Sequence, residues 1–113
     1  MQVRQDQSVC EWQGVTPDQP QPGSKIGIAI GTIWLQPING LRIKPENGTN
    51  GWYLWCGTER SGAEDFFSPL HVEHITHYLP EVVEYLNLPP GYRFYIDGSH
   101  FEDVWFDPAL VPT

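Results

Sequence analysis

Positive charge is scarce in this chain. Its 113 residues carry six lysines and arginines against fourteen aspartates and glutamates, a formal net charge of −8. The shortage is confined to one half. In residues 1–56, Arg4, Lys25, Arg42 and Lys44 balance Asp6, Glu11, Asp18 and Glu46, whereas in residues 57–113 only Arg60 and Arg93 face ten acids. A surface with that excess repels phosphate, so neither direct nucleic-acid binding nor attachment to an anionic membrane is expected. Long apolar runs are also missing. The best candidate, Ile26 to Leu35, is interrupted by Gly27, Gly31 and Thr32, well short of the roughly 18 apolar residues of a membrane span. The first residues, MQVRQDQSVCEWQ, lack the apolar stretch of a secretory leader, and a cytoplasmic location is the expectation. Two cysteines, Cys10 and Cys56, are too few for a disulfide framework and form no CxxC, so both are expected as thiols. The GxGxxG, GxxxxGK[ST], GxSxG and HExxH patterns are absent. A nucleotide site, a nucleophile elbow and a zinc helix therefore have no support, and no cofactor is expected.

What the chain does have is enough apolar material for one core. It is 40% hydrophobic with fifteen aromatic residues, which excludes wholesale disorder, and its length suits a single domain. Residues 1–24 read as a flexible Pro/Gln-rich N-terminal tail, because Thr16 to Ser24 holds three prolines and no large apolar residue, although Val9 and Trp12 can dock back. Residues 25–113 read as a single α+β domain. Within it, 25–35 fits strand or helix: Ile26, Ile28 and Ile30 alternate, while Ser24 suits a helix N-cap. Ile38–Ile43 and Trp52–Cys56 read as strands flanking a loop with two Asn-Gly steps, and they suit an antiparallel hairpin. Ser68-Pro69 reads as a helix start, and Pro80 as the start of a second helix with Val82, Val83, Tyr85 and Leu86 on its stripe. Tyr92–Ile96, the turn at Asp97-Gly98 and Glu102–Phe106 read as a second hairpin. Strands and helices in blocks predict α+β: a small, mostly antiparallel sheet with two short consecutive helices packed on it.

Three constellations bear on chemistry. His71, His74 and His77 recur every third residue, so on an α-helix neighbouring pairs share a face but all three do not. The simpler reading is a solvated helix surface, and no metal is expected. Paired carboxylates serve acid–base catalysis only when burial separates their pKa values, and no activated nucleophile accompanies Glu59, Glu64, Asp65, Glu102, Asp103 or Asp107. A carboxylate-dependent hydrolase is the least favoured reading. Thirteen of the fifteen aromatics lie at or after Trp52. On a strand, Trp52 and Leu54 face one way and Tyr53 and Trp55 the other. Trp55 and Trp105 among carboxylates suit the aromatic centre and charged rim of a binding surface; the plainer alternative places both rings in the core. Trp55, Glu59, Glu64, Asp65, Glu102, Asp103, Trp105 and Asp107 are thus the candidate partner-binding residues. The expected partner is a basic protein, drawn in by the acidic half. A small-ligand or regulatory domain with an aromatic pocket is the alternative.

Gly51-Trp52 with Gly57 and Glu59, Asp65-Phe66-Phe67, Pro80-x-Val-x-x-Tyr-Leu86 and Pro90-Gly91-x-x-Phe94 together resemble the bacterial immunity-protein domain of the thirty-third polymorphic-toxin class, formerly a domain of unknown function. The likeness runs over about residues 38–106, with a thinner acidic run after Gly57 than the family carries. It implies a cytoplasmic, non-catalytic protein that binds a cognate toxin and blocks it.

Overall fold

The computed structural model describes residues 6–63 and 65–112. Among the described residues six strands build one sheet: β1 (Lys25–Ile28), β2 (Ile38–Arg42), β3 (Thr49–Cys56), β4 (Ser68–His71), β5 (Tyr92–Ile96) and β6 (Glu102–Phe106). Their spatial order is β4-β1-β3-β2-β5-β6. β1 runs parallel to β3, and the four other neighbouring pairs are antiparallel. The α+β class holds, with a sheet that is mixed. Both expected hairpins form, in registers that place Leu41 opposite Tyr53 and Phe94 opposite Val104. Among the described residues no helix is long and apolar enough to cross a membrane.

Strand alternation divides the apolar residues between two faces. On the first face Ile28, Trp52, Leu54 and Phe94 pack against Ile75, Val82 and Leu86, which arrive from the segments after β4. The Trp52 indole donates to the Leu86 carbonyl at 3.0 Å, and Phe94 stacks on Tyr85 at 4.9 Å. Phe94 lies directly over Gly40, where any Cβ would collide with the ring, so this glycine is set by a neighbour's bulk. The second face carries Leu41, Tyr53 and Trp55; Phe66, Phe67 and Leu110, the last from a 3₁₀ turn at Pro108–Leu110, cover part of it.

Four expectations change. Ser68-Pro69 does not start a helix: residues 68–71 pair with β1 as an edge strand, where a proline without an N–H is tolerated. The two expected helices are 3₁₀ segments, Val72–His77 and Pro80–Asn87. Residues 25–35 are neither all strand nor all helix, because β1 stops at Ile28 and a 3₁₀ turn covers Ile30–Thr32. Part of the segment expected as a flexible tail contacts the domain, through Val9, Cys10, Trp12 and Val15. Its helix α1 (Val9–Gln13) begins with a capping box in which Ser8 and Glu11 bond reciprocally, and its Val9 and Cys10 join the first-face core.

Arg42 fastens these parts together. It is 2% exposed, and its donors reach the carbonyls of Asp18 (2.7 Å), Leu88 (2.8 Å) and Asn50 (2.9 Å). Burial lowers its pKa, opposed by the charge of Asp18. Replacing it by methionine leaves those carbonyls without their donor, and Arg42→Met should cost about 3–5 kcal/mol, read as a drop in the urea midpoint at unchanged slope. Both thiols are buried as well. Burial pushes Cys56 up from 9.0 to about 11. The unfolded thiol ionises first, so the Cys56 contribution is intact below about pH 9 and is lost as pH rises through about 11. Ellman's reagent at pH 8 should accordingly label neither thiol until denaturant is added, and stability should fall between pH 9 and 11 in wild type but less so in Cys56→Ala.

Candidate partner-binding site

The topology gathers three connections at one end of the sheet. β1 and β3 are parallel and finish together; β2 starts there, and β5, antiparallel to β2, also finishes there. The connections 29–37, 57–67 and 97–101 therefore crowd one end, and Arg60 is their sole lysine or arginine. Glu59, Asp65 and Asp97 lie in them, and Glu102 and Asp103 follow at the start of β6. Lys25, at the start of β1, and Lys44, just past β2, sit at the opposite end. Glu46, Glu73 and Asp107 lie at that end too, so the acidic excess is larger, not exclusive, at the end where the three connections meet.

The first connection explains why apolar side chains are pushed outward there. The Thr32 hydroxyl donates to the Ala29 carbonyl at 2.7 Å and accepts from the Cys56 amide at 2.9 Å, tying the 3₁₀ turn to the end of β3. The Leu35 amide donates to the Thr32 carbonyl at 2.8 Å. With the turn held this way, Trp34 is 74% exposed, and Ile30 and Leu35 are also exposed. The second connection is anchored by Asn39, whose amide donates to the carbonyls of Trp55 (3.2 Å) and Gly57 (2.8 Å). Phe67 then tucks against Tyr53 and Trp55 on the second face, at 5.2 and 6.2 Å. A cleft of about 380 Å³ opens between Thr32 and Leu35 on one side and Glu59, Arg60 and Phe66 on the other. A neighbouring one of about 370 Å³ lies between Ile30 and Asp65.

The residues singled out in the sequence meet different fates. Glu59 and Asp65 are exposed on the second connection, beside the Ile30–Leu35 turn. Glu64 lies outside the described residues. Trp55 is largely covered: it is 7% exposed, with Arg60 over its ring at 5.2 Å and Phe67 at its edge. Asp103 and Trp105 share the second face at β6, about 14 Å across three strand spacings from the Trp55 column; Trp105 is 38% exposed with the Arg93 guanidinium over it at 5.7 Å. Glu102 points to the first face and accepts from the Tyr85 hydroxyl. Asp107 accepts from the Ala109 amide at 3.0 Å and from Arg93 at 3.1 Å, the two bonds that hold its pKa below the usual carboxylate range. The most exposed ring among the described residues is Trp34, which is not among the residues singled out, because the local pattern of 25–35 fits strand or helix and gives no sign of which side chains stay outside.

His71, His74 and His77 stack in one column with ring centres 6.2 and 6.0 Å apart, since residues three apart eclipse on a 3₁₀ path where an α-helix would fan them out. Among the described residues no group of three His, Cys, Asp or Glu side chains is placed to hold a metal. Asp97 caps the β5–β6 turn by accepting from the amides of Ser99 and Phe101.

A model of the Imm33-like domain matches residues 5–107, and the chain belongs to that family of immunity-type domains. The match includes α1 and ends one residue past β6. Neither the curated proteins nor the solved structures searched yielded a match. The assignment of exposed and sealed rings is open to a direct check. Trp34→Phe should remove most of the red-shifted, acrylamide-quenchable tryptophan emission, and Trp52→Phe should remove none of it.

Proposed function

We propose that this domain is a non-catalytic immunity protein that neutralises a cognate toxin by docking through the loop end of its sheet. The observation that carries the reading is Trp34, the most exposed large apolar side chain among the described residues, on the same connection as Ile30 and Leu35, which line clefts shared with Asp65 and Glu59 respectively. An exposed aromatic with an apolar collar and a charged rim is the usual layout of a binding hot spot. Family membership supports a toxin as the partner. The acidic excess at this end favours a basic toxin surface, whose approach it accelerates by long-range attraction. Asp103 and Trp105 extend the same acidic, aromatic surface towards β6. The cytoplasm, where the toxin would otherwise act on its producer, is the proposed site of action.

The test is capture of the toxin from the source organism at low salt, followed by titration of the purified pair. Trp34→Ala should weaken binding by about 2 kcal/mol, roughly thirtyfold in Kd. Glu59→Lys with Asp65→Lys should slow association, with most of the effect gone at 1 M salt, where screening shortens the field to about 3 Å. Binding unaltered by both changes would dismiss this end of the sheet as the docking face.

A further inference from the structure

The sheet has two edges, and they are finished differently. β4 is four residues long and carries Pro69, two devices that discourage a further strand from adding. β6 is five residues long and contains neither proline nor lysine. Its register on β5, with Asp97 donating to the Phe101 carbonyl and Gly91 accepting from the Asp107 amide, makes Asp103 and Trp105 the residues bonded to β5. Alternation then turns the backbone N–H and C=O groups of Val104 and Phe106 outward. Among the described residues no strand pairs with that side of β6. Alongside it runs a groove of about 660 Å³, walled by Phe101–Trp105 and by Trp12 and Gln13 of α1. The exposed rings of Trp105 and Phe106 project to opposite faces of the edge, so an added strand would cover both.

We infer that the outer edge of β6 accepts a strand from a cationic protein partner, extending the sheet to seven strands. Main-chain bonds to Val104 and Phe106 supply the affinity, and Asp103 with Trp105 selects for basic side chains on the second face. Charge argues for this occupant over a second copy: a molecule with a net charge of −8 that brings Asp103 to the edge repels its own kind. The inference rests on the reading of this chain as a protein-binding domain and adds a second, backbone-directed contact to the docking at the loop end.

The probe is a capped synthetic peptide of alternating lysine and valine, with an alternating glutamate and valine peptide as its counterpart, each at millimolar concentration against the isotopically labelled full chain. Amide hydrogen exchange followed by NMR is the readout. The lysine peptide should slow exchange at Val104 and Phe106 by about tenfold while leaving the β4 edge unchanged. The glutamate peptide should do nothing, and Asp103→Lys, an exposed site that leaves the fold intact, should abolish the protection. No protection at Val104 and Phe106, or equal protection by both peptides, overturns the proposal. So does protection without peptide that grows with protein concentration, because the occupant is then a second copy. Toxin binding that depends on Trp34 while the β6 amides stay unprotected would sink the edge alone; protected β6 amides in a chain that binds no toxin would sink the immunity reading alone.

Discussion

A guanidinium withdrawn from water must find acceptors for its fixed fork of donors, and Arg42 finds them on three segments remote from one another in sequence: Asp18 before β1, Asn50 at the start of β3 and Leu88 after the second 3₁₀ segment. Every acceptor is a backbone carbonyl, so what Arg42 reads is the path of the chain. Trp52, whose ring lies 5.8 Å beneath the same guanidinium, donates to Leu86 and fixes the same segment from below. The sheet, the N-terminal segment and the 3₁₀ layer meet at this point. Their short helical elements have little stability alone, since brief 3₁₀ runs have poor hydrogen-bond geometry, and they hold because the sheet's first face and Arg42 hold them.

That division of labour leaves the opposite end of the sheet available. The helical layer and the N-terminal segment cover the first face, and Phe66 and Phe67 close part of the second. The connections at the far end are braced by side chains that bond backbone, Thr32 and Asn39 above all. A braced turn can present Trp34 to solvent without losing its shape, and a preorganised contact spends less ordering entropy on association. The β6 edge differs in kind. There the recognition groups are the backbone itself, rimmed by Asp103 and flanked by the α1 groove.

Much of the sheet was legible before the structure. β2, β3, β5 and β6 announce themselves by alternation and by the turns between them, since period-two patterning survives wherever a strand has one face in a core. The 68–87 stretch was not legible in the same way. Ser68-Pro69 satisfies the rules for a helix start, and only pairing with β1 turns it into an edge strand. Ile75, Leu79, Val82 and Leu86 bury one side of a helical path without distinguishing an α from a 3₁₀ pitch. Val9 and Cys10 lie too far in sequence from their partners for any local pattern to reveal their docking. Of the candidate site, Glu59 and Asp65 lie where their loop placed them, whereas Trp55 is covered and Trp34 uncovered.

From the residues alone came the class of fold, the strand pairs that close locally, the immunity-type resemblance and the confinement of negative charge to the C-terminal half, because each depends on composition or on neighbours a few positions apart. Tertiary structure decided the rest. It weighted the acidic excess towards one end of the sheet, through the parallel pairing of β1 with β3 across an intervening strand in sequence. It sealed Trp55, by bringing Phe67 and Arg60 of the 57–67 connection over the ring, and bared Trp34, on a turn that carries it away from the core. It left β6 as the unguarded edge, because which strand ends a sheet is a property of the order of all six and is written in none of them.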